Sequence, residues 1–127
     1  MIFKQIDDVL SGRKTQTRRL MKDNEYGANP PHGNGIRYVT SGGRHRFEVG
    51  AVYAVQPGRG KKAVGRIRIT EIRNERVQAI SESDAIAEGV NSVAEYRQLW
   101  DSIYEGQPEK QWGANPEVWV VTFEAVK

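Results

Sequence analysis

The segment VWVVTF, residues 118–123, is apolar on both faces of an extended chain. Strands of this kind lie inside a sheet, whereas strands with one face in solvent alternate apolar and polar residues. The turn-forming sequence GANP, residues 113–116, comes shortly before it. Residues 118–123 are therefore predicted to form the central strand of a sheet.

A second strand is predicted from strict alternation around Ile67 and Ile69. These two residues point to one face, while Arg66 and Arg68 point to the other, which indicates a half-buried strand with an arginine-bearing outer face. The predicted strands other than 118–123 are residues 15–20, 51–56 and 63–73, with 76–80 as an extension of the last.

Helical spacing of apolar residues predicts three short helices. Residues 3–11 form the first; Ser81 and Gly89 bound the second. Ser92 and Glu95 have the spacing of a capping box, which predicts the start of the third. The third helix carries an apolar stripe that is predicted to pack on the core rather than to contact a ligand: Tyr96, Leu99, Trp100 and Ile103.

Residues 23–45 are predicted to form a long loop, because they contain five glycines and two prolines. Such loops in a compact domain are usually either functional or mobile. Two alternatives therefore stay open: a loop that covers a site, or a mobile loop without a function. Its two histidines, His32 and His45, are more typical of surface residues than of catalytic bases.

The order of predicted elements is α-β-loop-β-β-α-α-β, within a single domain at residues 1–127. Because the helices cluster instead of alternating with every strand, this order predicts an α+β domain built on a curled, mostly antiparallel sheet. The chain has no apolar run long enough to span a membrane and no signal peptide, so a soluble, cytoplasmic protein is expected.

The residue types present exclude several kinds of chemistry. With no cysteine, the chain has no disulfide, no thiol nucleophile and no Cys-ligated metal, and two histidines make a histidine metal cage improbable. Neither a metal nor another cofactor is therefore expected. No feature of the sequence indicates an obligate protein partner.

The net charge of +3 hides a strong asymmetry along the chain. Residues 1–76 hold 16 basic and 7 acidic residues, whereas residues 77–127 hold 3 and 9. A basic half favours a nucleic acid or a nucleotide as partner. The densest basic segment is GRKTQTRR, residues 12–19, in which guanidinium groups suit bidentate phosphate contacts. The residues predicted to bind phosphate or nucleic acid are Arg13, Arg18, Arg19, Arg66 and Arg68. A merely solvated charged edge is the alternative.

The segment SGRKTQTRR, residues 11–19, resembles the motif of the ASCH-domain family of the PUA-like superfamily. Leu99-Trp100, Trp112, Asn115-Pro116 and residues 118–124 agree with ASCH proteins common in phages and prophages. The resemblance implies a small β-barrel of five or six strands flanked by short helices, with a cleft between them. It also implies RNA, or a modified nucleoside or nucleotide, as partner.

One branch of that family consists of amidohydrolases that remove the acyl group from N(4)-acetylcytidine. The resemblance implies that Lys14, Thr17 and Glu88 hold the positions of their catalytic residues. The chain differs from that branch in residues 23–45 and in polar residues at Gln16 and Arg18, which could indicate a larger substrate. Two other activities remain as alternatives, a non-catalytic RNA or nucleotide reader and a metal-dependent ribonuclease for single strands.

The predicted catalytic set places a condition on the backbone. Lys14 and Thr17 are three residues apart, and an odd spacing in a regular strand points side chains to opposite faces. Both can enter one cleft if Lys14 lies in the turn after Gly12 rather than in the strand. Lys14 can then act as a base if burial and neighbouring cations lower its pKa, with Thr17 as nucleophile and Glu88 as proton carrier.

Overall fold

The structure is a computed structural model, and it describes residues 1–28 and 35–126. Its helices and strands follow the predicted order, with additional short strands in the middle of the chain. In chain order they are α1 (Ile6–Leu10), β1 (Gln16–Leu20), β2 (Glu25–Ala28), β3 (Tyr38–Ser41), β4 (Arg44–Glu48), β5 (Val52–Val55), β6 (Gly65–Arg76), α2 (Glu82–Ala87), α3 (Val93–Ile103) and β7 (Glu117–Val126). Single 3-10 turns lie at Val77–Ala79, Pro108–Lys110 and Trp112–Ala114.

The larger sheet has the strand order β1-β7-β6-β5, and each neighbouring pair is antiparallel. Strand β7 lies between β1 and β6, so the prediction of a central strand at 118–123 is confirmed. Its residues from Val118 to Val121 and Phe123 are buried. In β6 the predicted alternation is also confirmed, because Ile67 and Ile69 are buried while Arg66 and Arg68 are exposed.

Strands β2, β3 and β4 form a second, three-stranded antiparallel sheet. The prediction of one long loop over residues 23–45 is therefore wrong for most of that segment, while residues 29–34, with His32, lie outside the described residues. The hairpin between β3 and β4 turns at Gly42 and Gly43, whose φ angles are +56° and +82°. Two successive positive φ angles give the tight two-residue turn that matches the twist of paired strands.

The two sheets meet in one core. An isolated bridge joins Ile36 to Ile72 of β6, and Val39 and Phe47 pack with Ile72 and Trp119. The α+β class with antiparallel strands and short helices is confirmed. The strands of the described residues pair as two sheets and do not close into one barrel.

Helices α2 and α3 begin where the sequence predicts, whereas α1 is shorter than the predicted residues 3–11 and begins at Ile6. The Ser81 side chain accepts a hydrogen bond from the Asp84 amide, and the Ser92 side chain accepts one from the Glu95 amide, both at 3.1 Å. Helix α3 packs its Tyr96 and Trp100 against the end of β7. In the part of the chain that the structure describes, no helix has the length and apolarity needed to cross a membrane.

Candidate active site

A cavity of about 250 Å³ lies between the N-terminal segment, strand β1 and helix α3. Its walls are mainly apolar, and they come from Phe3 on one side and from Leu99, Trp100 and Ile103 on the other. Polar side chains of the segment around β1 and of the end of α2 also line it. Lys14, Thr17 and Glu88 all lie on this one cavity.

Lys14 lies in a turn before strand β1, as the predicted catalytic set requires. Helix α1 ends at Leu10, and Gly12 follows two residues later with a φ of +83°, which is unfavourable for other residues. The Lys14 amide then donates to the Asp8 carbonyl, and the Thr15 amide donates to the Ala87 carbonyl, each at 2.8 Å. These bonds fix the turn against both α1 and the last residue of α2.

Glu88 follows α2 as its C-cap residue and is 2% exposed. Its carboxylate accepts a hydrogen bond from Lys14 Nζ at 2.7 Å and one from Arg18 Nη1 at 3.0 Å. Its backbone carbonyl accepts a second bond from Lys14 Nζ at 3.0 Å. A buried carboxylate is thus held between two cations, at a helix end where the dipole by itself disfavours negative charge.

Burial lowers the pKa of Lys14, because the charged ammonium loses its hydration. Glu88 opposes this effect, both through its charge and through its hydrogen bond, while the nearby cations Arg19 and Arg18 lower the pKa further. The net result is a Lys14 pKa below the ordinary lysine value.

Thr17 is buried beside Lys14 on the cavity, and its hydroxyl accepts a hydrogen bond from Arg19 Nε at 3.3 Å. Arg19 in turn donates to the Ile2 carbonyl at 2.8 Å, and its guanidinium lies 5.1 Å from the centre of the Phe3 ring. Arg19 therefore joins the N-terminal segment to β1 while it lines the cavity.

Arg18, predicted to bind phosphate, has a fully buried side chain whose donors are all directed at protein groups. Its guanidinium pairs with Glu75 at 2.6 Å, with Glu88 at 3.0 Å and with Asp84 at 3.1 Å, and it donates to the Gln16 side chain at 2.6 Å. The structure thus places Arg18 inside a cluster of carboxylates and not on a phosphate-accessible surface.

Arg73 completes this cluster from strand β6. It pairs with Glu75 at 2.9 Å and with Asp84 at 2.7 Å. Burial raises the pKa of Asp84, but the hydrogen bond from Gln16 and the charges of Arg18 and Arg73 outweigh it and hold that pKa below its ordinary value. Three cations and three carboxylates therefore balance one another: Lys14, Arg18, Arg73, Glu75, Asp84 and Glu88.

Three of the predicted phosphate-binding residues lie outside the cavity. Arg13 is exposed and 3.9 Å from Asp8, and Arg66 and Arg68 point outward from β6. Arg68 also lies 3.5 Å from Glu124 on β7. The structure brings Lys14, Thr17, Glu88, Arg18 and Arg19 together, and it keeps the other three arginines apart from them.

Sequence reasoning did not find several contributors to this site. Glu75 and Asp84 were not singled out, and Tyr96 was expected only as core, although it both packs in the core and lines the cavity. The available signal was Arg18, because a charged residue in a strand that must bury both faces requires carboxylate partners. Within the described residues, no group of three or more histidine, aspartate or glutamate side chains is arranged to hold a metal ion.

Comparison with solved structures shows what fold this is. The chain resembles the ASCH domain from Lactobacillus crispatus JV V101, with a TM-score of 0.65 and 17% identity, over 94% of this chain and 68% of that one. It also resembles a protein of Enterococcus faecalis V583 from family DUF984, with a TM-score of 0.59 and 19% identity, over 94% and 68% of the two chains. Hypothetical protein PH0355 gives a TM-score of 0.59 and 14% identity, over 99% and 96%.

The fold is accordingly that of an ASCH domain. No protein-family model matches the sequence, and no curated protein is significantly similar to it.

Proposed function

We propose that the protein is an amidohydrolase that removes the acyl group from an N(4)-acylated cytidine or a related base. One observation carries the proposal: Lys14, Thr17 and Glu88 line a single cavity, with Lys14 Nζ 2.7 Å from the buried Glu88 carboxylate. Amide cleavage needs a nucleophile, a base and a proton donor for the leaving amine, and these three side chains are of the required types.

The proposed reaction begins with Lys14, whose lowered pKa increases the fraction of neutral amine able to accept a proton. The Thr17 oxygen attacks the acyl carbon, and its proton passes to Lys14 Nζ. The carbon–nitrogen bond then breaks, and the leaving N(4) nitrogen takes up a proton from Lys14 or Glu88. Water hydrolyses the resulting Thr17 ester, which releases the carboxylic acid and restores the threonine hydroxyl.

The size and lining of the cavity support a small substrate. Its volume of about 250 Å³ lies just below the range of about 300–1,000 Å³ that is usual for small-molecule sites. Apolar walls such as Phe3 and Leu99 suit a base and an acyl group, and the charged groups lie where the amide would react. Lys14, Arg18 and Arg19 each already bind a protein oxygen, which favours a neutral moiety over a phosphate inside the cavity.

A direct assay tests the proposal. The purified protein is incubated with N(4)-acetylcytidine, and cytidine release is followed by chromatography. We expect turnover by the wild type and a loss of at least about a hundredfold in Lys14→Ala and in Thr17→Ala, because each removes a group that takes part in bond making or proton transfer.

Arg97→Ala provides the matched control, since Arg97 is an exposed basic residue of α3 that does not line the cavity. It is expected to retain wild-type turnover. Absence of cytidine in the wild-type reaction would contradict the proposal for this substrate, and full activity of Thr17→Ala would contradict the role of its hydroxyl.

A second function, contact with an RNA strand, is favoured by a different observation. Arg66 and Arg68 are two residues apart on β6. Their side chains are exposed on the face opposite the buried Ile67 and Ile69. Such a pair can contact successive phosphates. This contact would extend the proposed activity to a modified base within a strand.

A further inference from the structure

Tyr96 is a buried polar residue that the proposed reaction does not yet use. It lies in helix α3, is 4% exposed and lines the same cavity as Lys14, Thr17 and Glu88. Its ring is fixed by a tilted contact with Trp100, with ring centroids 6.2 Å apart. Core packing, including this contact with Trp100, which also lines the cavity, thus holds the Tyr96 ring in place at the cavity wall.

The Tyr96 hydroxyl makes no hydrogen bond to any side chain or backbone group of the described residues, which distinguishes it from its polar neighbours. Every fully buried side-chain nitrogen or oxygen in the described part of the chain has a partner. An oxygen without a partner must therefore be accessible, and for a residue in the cavity wall the accessible space is the cavity itself. The Tyr96 O–H is free to bond to a ligand there.

The environment keeps this phenol protonated. Burial raises its pKa well above the ordinary value of 10, and the Glu88 carboxylate raises it further, whereas Arg18 and Arg19 act weakly in the opposite direction. A neutral phenol is a hydrogen-bond donor at any pH at which the protein would work. The geometric observation is that Tyr96 lines the same cavity as Lys14, Thr17 and Glu88.

We propose, on the basis of the proposed function, that Tyr96 is a catalytic residue whose hydroxyl donates a hydrogen bond to the carbonyl oxygen of the scissile amide. When the Thr17 oxygen attacks, negative charge develops on that carbonyl oxygen. A donor already aimed at this position in a dry cavity stabilises the charge without reorganising. Lys14 does not fill this role, because its Nζ already donates to the Glu88 carboxylate at 2.7 Å and to the Glu88 carbonyl at 3.0 Å.

Tyr96→Phe tests the proposal, because it removes the hydroxyl and keeps the ring. With N(4)-acetylcytidine we expect kcat to fall about a hundredfold, as for other single oxyanion donors, while KM changes less than about threefold. Tyr53→Phe is the control, since Tyr53 lies on β5 and does not line the cavity. A kcat within threefold of wild type, or a loss confined to KM, would overturn the role.

A second measurement does not depend on turnover or on the folding of Tyr96→Phe. Tyrosine labelled with ¹³C at Cζ is incorporated into the Lys14→Ala protein, in which the substrate should stay intact. If the wild-type protein proves inactive, it is labelled in the same way. On addition of N(4)-acetylcytidine we expect the Tyr96 signal to shift and that of Tyr53 to stay. An unchanged Tyr96 signal at saturation would refute the contact, whereas an inactive wild type with a shifted signal would refute only the hydrolase.

Discussion

Single residues decide whether this site can do chemistry, and Arg18 and Lys14 show how. Arg18 was predicted to bind phosphate and Lys14, through the family resemblance, to be catalytic; both side chains are buried and paired with Glu88. Removing one partner of such a buried pair costs about 3–5 kcal/mol, because the other charge is left uncompensated. Arg18 therefore holds Glu88 in position and leaves the Lys14 side chain at the cavity surface, an arrangement that no local pattern around residues 12–19 encodes.

The Lys14 pKa gives a prediction at this scale. Because burial outweighs the attraction of Glu88, we expect the ¹³Cε signal of Lys14 to titrate with a midpoint below 10.5. The stability linked to this shift is fully present above the unfolded-state pKa of 10.5 and is lost as the pH falls from there through the lowered folded-state pKa, because over this range the unfolded chain binds the proton more readily. In Glu88→Gln the midpoint should fall further, because the raising influence is removed.

A spectrum recorded between pH 6 and 11 checks this expectation. A Lys14 midpoint at or above the ordinary lysine value of 10.5 would argue against its role as base. A higher midpoint in Glu88→Gln than in wild type would show that the Glu88 charge does not act on Lys14.

At the scale of helices and strands, the parts of the fold that could be predicted are those with a strong pattern in their own residues. The central strand and the two capped helices carry strong local patterns in their own residues, and all three were predicted. Strands β2, β3 and β4 were not, because each has four or five residues, and Gly42-Gly43 between two of them has the composition of a loop. Their stability comes from pairing with one another and from packing Val39 and Phe47 on β6, which a local pattern does not report.

The end of α2 offers a prediction at this scale. Gly89 has a φ of +96°, and a Cβ there would lie 3.5 Å from the Lys14 Cβ and 3.4 Å from Gln5 Nε2. These are ordinary van der Waals distances, so the cost of Gly89→Ala comes from backbone strain and is about 1–2 kcal/mol. Because the strained peptide adjoins Glu88, we expect its relaxation to displace the Glu88 carboxylate, so that kcat/KM falls at least tenfold.

Gly106→Ala is the matched control for Gly89→Ala. Its φ is +78°, but a Cβ there meets no atom within 4 Å. Thermal unfolding should show a similar loss of stability in both variants, and only Gly89→Ala should lose activity. Equal activities would mean that the geometry of the α2 end does not control Glu88.

In the folded molecule, the charge asymmetry found in the sequence is largely balanced by ion pairs between the two parts of the chain. Several ion pairs join the basic first part of the chain to the acidic second part, so much of the excess cancels within the fold. Arg68 on β6 also lies 3.5 Å from an acid of the second part, Glu124. What stays outside these pairs is a smaller set of exposed cations, among them Arg66 on β6. Charges that pair within the fold are not available to a partner. Because tertiary contacts decide which charges pair, the distribution of charge along the sequence does not by itself indicate a partner.

The exposed pair supports a prediction about RNA. In the double variant Arg66→Ser/Arg68→Ser, affinity for single-stranded RNA should fall, and the slope of log K against log salt should decrease by about 1.4, as expected for two lost phosphate contacts. Hydrolysis of the free nucleoside should stay within twofold of wild type, because neither residue lines the cavity.

Binding titrations at several salt concentrations, with Arg97→Ser as a control for charge alone, provide the measurement. An unchanged slope in the double variant, or an equal decrease in the control, would show that β6 does not contact the strand.

The cluster around Arg18 has a consequence for how the molecule is assembled. Lys14 and Glu88 are 74 residues apart in the chain, and Arg18 is 57 residues from Glu75. Contacts between such distant segments close large loops and are made only when most of the chain is ordered. The side chains of the cavity thus come into register as the domain completes folding, and a nascent chain that ends before α2 lacks Asp84 and Glu88, so that Lys14 has no carboxylate partner and Arg18 has only Glu75.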